Sequence, residues 1–220
     1  MMSEIEFLNW VRGPGFQIAV IVFIAGVIIR FAEILLLGRK ANLAEAKGSE
    51  MSSGLRTIIT RSIPDKGTFK RSSFTVVAGY IFHLGLFVTI FLFAPHILMF
   101  KDIFGFGWPS LPTPVVDAMA VVTIIALLAV LAHRMSNTVL KFLSTKEDYF
   151  VWLATIAPLI TGYIAFHRIG TTAPTLLAIH ILSIELLLVI FPFTKLMHAF
   201  TIVLSRWYNG AISGYRGVES

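Results

Sequence analysis

Apolar residues in this chain run in long blocks rather than alternating with polar ones. A helix that crosses a hydrocarbon core needs about 18 to 20 such residues. Five stretches qualify: Phe16 to Leu37, Phe74 to about Met99, Val115 to His133, Phe150 to His167 and Thr175 to Phe200. The pattern predicts an all-α integral membrane bundle of five transmembrane helices, read as one domain over residues 1–220. The largest polar excursion is residues 38–73, between the first two helices.

Composition agrees with that pattern. Of 220 residues, 56% are hydrophobic and 14% charged, and the mean hydropathy is +0.82, which excludes an ordinary water-solvated domain. The first apolar run follows Glu4 and Glu6 without a basic leader or an evident cleavage site, so it is expected to be retained as a helix. Cysteine is absent, so disulfides, thiolate-held iron–sulfur clusters and covalently attached c-type haem are excluded within the chain.

Lys and Arg set orientation. The 38–73 loop carries Arg39, Lys40, Lys47, Arg56, Arg61, Lys66, Lys70 and Arg71. The next loop on that side adds Arg134, Lys141 and Lys146, and the tail Arg206 and Arg216. The opposite side has Arg12, Lys101 and Arg168, while Arg30 and Lys195 fall inside spans. This predicts an outer N-terminus and a cytoplasmic C-terminus, and accounts for the basic character without nucleic acid. Gly54 to Pro64, with Leu55, Ile58, Ile59 and Ile63 among Arg56 and Arg61, predicts an amphipathic helix in contact with membrane lipid. The outer segment FGFGWPSLPTP predicts an interfacial loop, with Trp108 in the headgroup zone.

All six histidines lie in or at the ends of apolar spans. For His133 and His167 the expectation is a helix-end histidine bonded to carbonyls or headgroups. His83, His96, His180 and His198 sit in helices two and five, which run in opposite directions. His83 can then face His198 near the inner leaflet, and His96 can face His180 near the outer one. His180 and His198 are 18 residues apart, five turns of about 3.6 residues, and share a face of an unbroken helix. His83 and His96 are 13 apart, about 220° around a straight helix, and Pro95 offers a kink that turns His96 inward.

Zinc would want further ligands, which neither level offers. Haem b needs axial imidazoles, apolar walls and room, and Ala78, Gly79, Gly85 and Ala178 supply small residues beside the histidines. Arg134 and Lys195 inside, or Arg168 and Lys101 outside, could meet haem propionates or simply snorkel. The alternative class is a small transporter or membrane anchor whose intramembrane His and Glu bind an ion or each other. No Walker A segment, dinucleotide fingerprint or nucleophile elbow is present.

With FHLG at Phe82 to Gly85 and HILSIELLLVIFPFTKLMH from His180 to His198, the chain resembles the gamma subunit of respiratory nitrate reductase. The resemblance extends to the wider family of five-helix membrane cytochromes b, including subunits of sulfur-metabolism and heterodisulfide-reductase-like complexes. It covers most of the spans and implies that His83, His180 and His198 are axial ligands of two haems. In the nitrate reductase pattern the second histidine of helix two comes ten residues after the first, where this chain has Phe93. His96, in APHILMF, looks like the replacement used in a divergent branch with a WP..P outer segment, here Trp108 to Pro112.

The resemblance implies a multi-pass subunit in a prokaryotic inner membrane. Such a subunit exchanges electrons between quinone or quinol and a cytoplasmic iron–sulfur or molybdenum-containing partner, and leaves the terminal reaction to that partner. His167, Arg168, Lys101 and Glu185 are the candidates for a quinone site or proton relay.

Overall fold

The computed structural model describes residues 2–38 and 42–218. Arg39 and Lys40 of the basic loop lie outside the described residues. Among the described residues every regular element is a helix. In chain order these are α1 (Glu4–Trp10), a π-helical turn (Val11–Gly15), α2 (Phe16–Leu36), α3 (Glu50–Thr60), α4 (Lys66–Phe91) and α5 (Ala94–Phe104). There follow α6 (Thr113–Ser136), α7 (Thr138–Leu143), α8 (Lys146–His167), α9 (Ala173–Ile190), the 3₁₀ turns Phe191–Phe193 and Lys195–Met197, and α10 (His198–Tyr215). Five stretches are long and apolar enough to cross a membrane: Glu4–Leu36, Lys66–Phe91, Thr113–Ser136, Lys146–His167 and Ala173–Phe193. Their outward positions are apolar too, as at Ile18, Ile21, Ile24 and Ile28 on α2. An exposed surface of that kind needs lipid to cover it, and the chain is a multi-pass membrane protein.

The expected second and fifth spans are each broken. α4 ends at Phe91, and Phe93 is extended (φ −89°, ψ 126°) before α5 begins. Pro95 has no amide to continue the ladder. In the fifth stretch, Pro192 sits in a 3₁₀ turn and Thr194 is extended (φ −125°, ψ 179°). His180 and His198 therefore stand on separate helices, and the five-turn count that put them on one face does not apply.

Contacts divide the chain into two compact units, Met1–Val20 with Phe74–Val189 and Ile21–Ser73 with Ile190–Ser220. In the first, Leu127, Ile156 and Leu159 form a core lined by Phe82, Leu86, Ile124 and Trp152. The Trp152 indole donates to Leu127 O at 2.9 Å. Thr123, wholly buried, returns its hydroxyl to Met119 O at 2.6 Å, which satisfies it within its own helix. The absent side chain of Gly85 is what lets Thr123 approach α4.

The second unit is built on α3 against α10. Gly54 lies under Trp207, Gly210 under Thr57 and Gly214 under Ser53, so side chains of minimal size bring the backbones together. α3 overlaps the predicted helix only from Gly54 to Thr60, since it starts at Glu50 and the chain turns at Arg61; its Gly54 and Thr57 face packs on α10, leaving Leu55 and Ile59 exposed. Arg206 donates to Ser62 Oγ at 2.7 Å, and Tyr215 Oη donates to Ala44 O. In the same unit Pro192 rests on Gly26, and its carbonyl, freed by the turn, accepts from Arg30 Nε at 3.0 Å.

Candidate functional site

The break between α4 and α5 leaves carbonyls without helical partners, and each finds another donor. Thr89 O accepts from His96 Nδ1 at 2.8 Å, Phe91 O from Trp108 Nε1 at 2.5 Å, and Leu92 O from Leu111 N at 3.0 Å. The bend thus fixes the His96 ring by its Nδ1 and leaves Nε2 as its basic nitrogen. Phe93 meets the ring edge-on at 5.3 Å.

His180, on α9, is the ring's neighbour in the first unit. The two imidazole centroids are 6.2 Å apart and their planes differ by 15°. His180 Nδ1 lies 3.3 Å from Thr161 Oγ1 on α8. The Thr161 hydroxyl also donates to Ala157 O at 2.8 Å and meets Ser183 Oγ at 3.0 Å, so the ring sits in a small hydroxyl network. Gly162 gives this ring its place, since a Cβ there would stand 2.8 Å from His180 Cε1. Ala178, fully buried two residues before His180, adds no bulk.

A metal bound by one nitrogen of each ring at about 2.0–2.1 Å, with a ring radius of about 1.15 Å for bonds near 1.35 Å, would hold the centroids at most about 6.4 Å apart, and 6.2 Å lies within that reach. Among the described residues no three His, Asp or Glu converge as ligands, so the His96 and His180 pair is a two-nitrogen arrangement.

His83, in the first unit, and His198, in the second, show the same use of Nδ1. It lies 2.7 Å from Gly79 O in one and 2.7 Å from Lys195 O in the other. Arg134, named for an anionic group near the inner surface, bonds Ser144 Oγ at 2.9 Å and stands 3.8 Å from Asp148. Lys195 opens the second 3₁₀ turn, outside any regular α-helix.

The outer candidates do not form one cluster. His167 pairs with Asp117 at 3.4 Å and lies beside Tyr163. Arg168 caps α8 in the left-handed region (φ 55°), and Lys101 lies in the last turn of α5, its carbonyl accepting from Gly105 N at 2.8 Å. Glu185 has the π-helical turn and Trp10 for neighbours. Sequence reasoning missed Asp117, Thr89, Thr161 and Gly162. Of these, only the glycine at mid-span carried a local signal.

No family model matches the chain, and no solved structure matches it. A protein of Nitratidesulfovibrio vulgaris strain Hildenborough is 30% identical over 211 residues, an alignment that covers 91% of each chain. On that identity and coverage, this five-span membrane chain belongs to the same family as the Nitratidesulfovibrio protein.

Proposed function

We propose that the chain is a dihaem cytochrome b membrane subunit, passing electrons between the quinone pool and a cytoplasmic iron–sulfur or molybdenum-containing partner. The observation that carries this is the His96 and His180 pair, with centroids 6.2 Å apart, planes 15° apart and both Nδ1 atoms committed elsewhere. Rings steadied this way would hold the haem iron, because a hydrogen bond at one ring nitrogen orients the other. The sequence assigns the second haem to His83 and His198, and each has its Nδ1 on a carbonyl within its own unit. Arg134 and Lys195 are the cations assigned to its propionates.

When bound, haem supplies one-electron chemistry within a layer that water does not enter. The protein's part is to hold the rings, exclude water with Phe93 and the apolar walls, and admit quinone from the lipid. The excess of basic residues on the 38–73 loop supports a cytoplasmic face there, with the N-terminus outside. On that side the partner would dock.

A reduced-minus-oxidised spectrum with pyridine-haem quantitation tests this. The expected outcome is two non-covalent haems per chain, one lost in His96→Ala and in His180→Ala, and the other in His83→Ala and in His198→Ala. His167→Ala is expected to keep both. A colourless wild type would overturn the proposal in favour of a transporter or anchor.

A further inference from the structure

Glu185 is the one ionisable side chain among the buried polar positions of the described residues. It lies on α9 at 8% exposure, and its Oε1 atom, with less than 1 Å² accessible, has no hydrogen-bond partner. Among the described residues it forms no ion pair. A polar atom sealed in this way is rarely left without a purpose, and a carboxyl inside a membrane helix marks a proton or ligand site by default.

What faces it is unusual. Residues Val11–Gly15 form a π-helical turn containing Pro14, which has no amide, and such turns are frequent at functional sites. A Cβ at position 15 would stand 3.1 Å from Oε1 and 3.3 Å from Oε2 of Glu185, and 3.2 Å from the Trp10 ring. The glycine, the widened turn and the indole thus make a seat fitted to a carboxyl. The seat leaves no opening at Oε1 for a metal ion or an organic hydroxyl, and the ligand small enough to reach it is a proton.

Other titratable groups on these elements are occupied or turned away. Glu4 accepts from Thr172 at 2.6 Å and Glu6 from Ser3 N at 2.7 Å, Arg12 is exposed, and His180 bonds Thr161.

We propose that Glu185, seated against the π-helical turn, is a proton-binding site inside the membrane, loaded and unloaded as the chain is reduced and reoxidised. This rests on the electron-transfer reading above. The oxidised chain carries an additional positive charge, which favours the carboxylate, and reduction removes it. For each electron taken up, one proton from water adds to the carboxylate and forms the acid. On reoxidation the O–H bond breaks and the proton leaves. A quinol, releasing two electrons and two protons as it becomes quinone, supplies the reductant.

Redox-triggered infrared difference spectra of the full chain in nanodiscs, paired with haem midpoint titrations across pH, test the inference. On reduction, a protonated-carboxyl C=O band is expected that moves in D₂O and is missing in Glu185→Gln. Glu185→Asp, which keeps an acid, should displace the band rather than abolish it. The midpoint of a coupled haem should fall with rising pH, by up to about 59 mV per tenfold change in proton activity for one proton per electron, and flatten in Glu185→Gln. A folded, haem-loaded Glu185→Gln protein with band and slope unchanged would overturn this proton site and leave the cytochrome reading standing. A wild type without a Soret band would overturn both.

Discussion

Replacing Gly162 by Ala sets a methyl group against the His180 ring. The new Cβ would stand 2.8 Å from Cε1, 3.2 Å from Nδ1 and 3.4 Å from Nε2. The ring or α8 must then retreat by about 0.6 Å, the difference between 2.8 Å and the 3.4 Å where ordinary contact begins. α8 is poorly placed to yield, because Ile156 and Leu159 hold it in the core with Leu127 on α6. The imidazole moves instead, and its 3.3 Å bond to Thr161 goes with it. Metal–ligand distances are held to about 0.2 Å, so a displacement near 0.6 Å is large for the site. For the fold it is smaller: overpacking costs about 1–3 kcal/mol, offset by about 0.5–1 kcal/mol for replacing glycine inside a helix. The expected outcome is one haem per chain instead of two by pyridine-haem assay, with thermal unfolding shifted only modestly. Gly13→Ala, where no atom lies within 4 Å of the new Cβ, should keep both haems and serves as the control. If Gly162→Ala retains two haems and the wild-type spectrum, the ligand assignment of His180 is refuted.

Two further outcomes are expected. Trp108→Phe removes the indole donor from Phe91 O at the α4–α5 bend, and should lower stability by about 1 kcal/mol while perturbing only the haem assigned to His96; an unaltered melt and spectrum would show that the bend does not depend on it. At the start of α4, the Thr68 hydroxyl and amide hold the Asp65 carboxyl below the usual carboxylate range. Because its folded pKa is depressed, its contribution is present above the unfolded value of about 3.9 and is lost as pH falls through the lower folded value. Hydrogen-exchange protection of the Gly67 and Thr68 amides, which donate to Asp65 Oδ1 at 2.9 and 3.0 Å, should follow that course. It should also be absent at neutral pH in Asp65→Ala, and equal protection in the variant would count against the cap.

The five spans were legible because hydrocarbon demands length and apolarity, and both are written residue by residue. The breaks were less so. Pro95 was read as a kink, yet Pro192, equally visible in the FPFTK segment, lay inside a run apolar enough to read as helix. Counting turns from His180 to His198 failed at that point. The α3 helix was foreseen from its apolar and basic alternation, but not its partner, since glycines at 210 and 214 meet residues about 150 positions earlier and carry no local mark of it. Opposed helix directions predict that His96 faces His180, and the two rings lie 6.2 Å apart. The partners that orient the rings, Thr89 O and Thr161 Oγ1, depend on a freed carbonyl and on a third helix, which no periodicity reports.

The reassigned carbonyls at 89, 91 and 92 bear on how such a histidine can be placed at all. Where a ligand rides on an uninterrupted helix, its offset from the previous one is dictated by rotation, and sliding it by three positions swings it to another side. Here the imidazole is tethered to a main-chain oxygen across a corner held by Trp108 and Leu111. The corner, and not the count from His83, sets where this imidazole stands, so the ligand role proposed for it does not depend on a straight-helix interval.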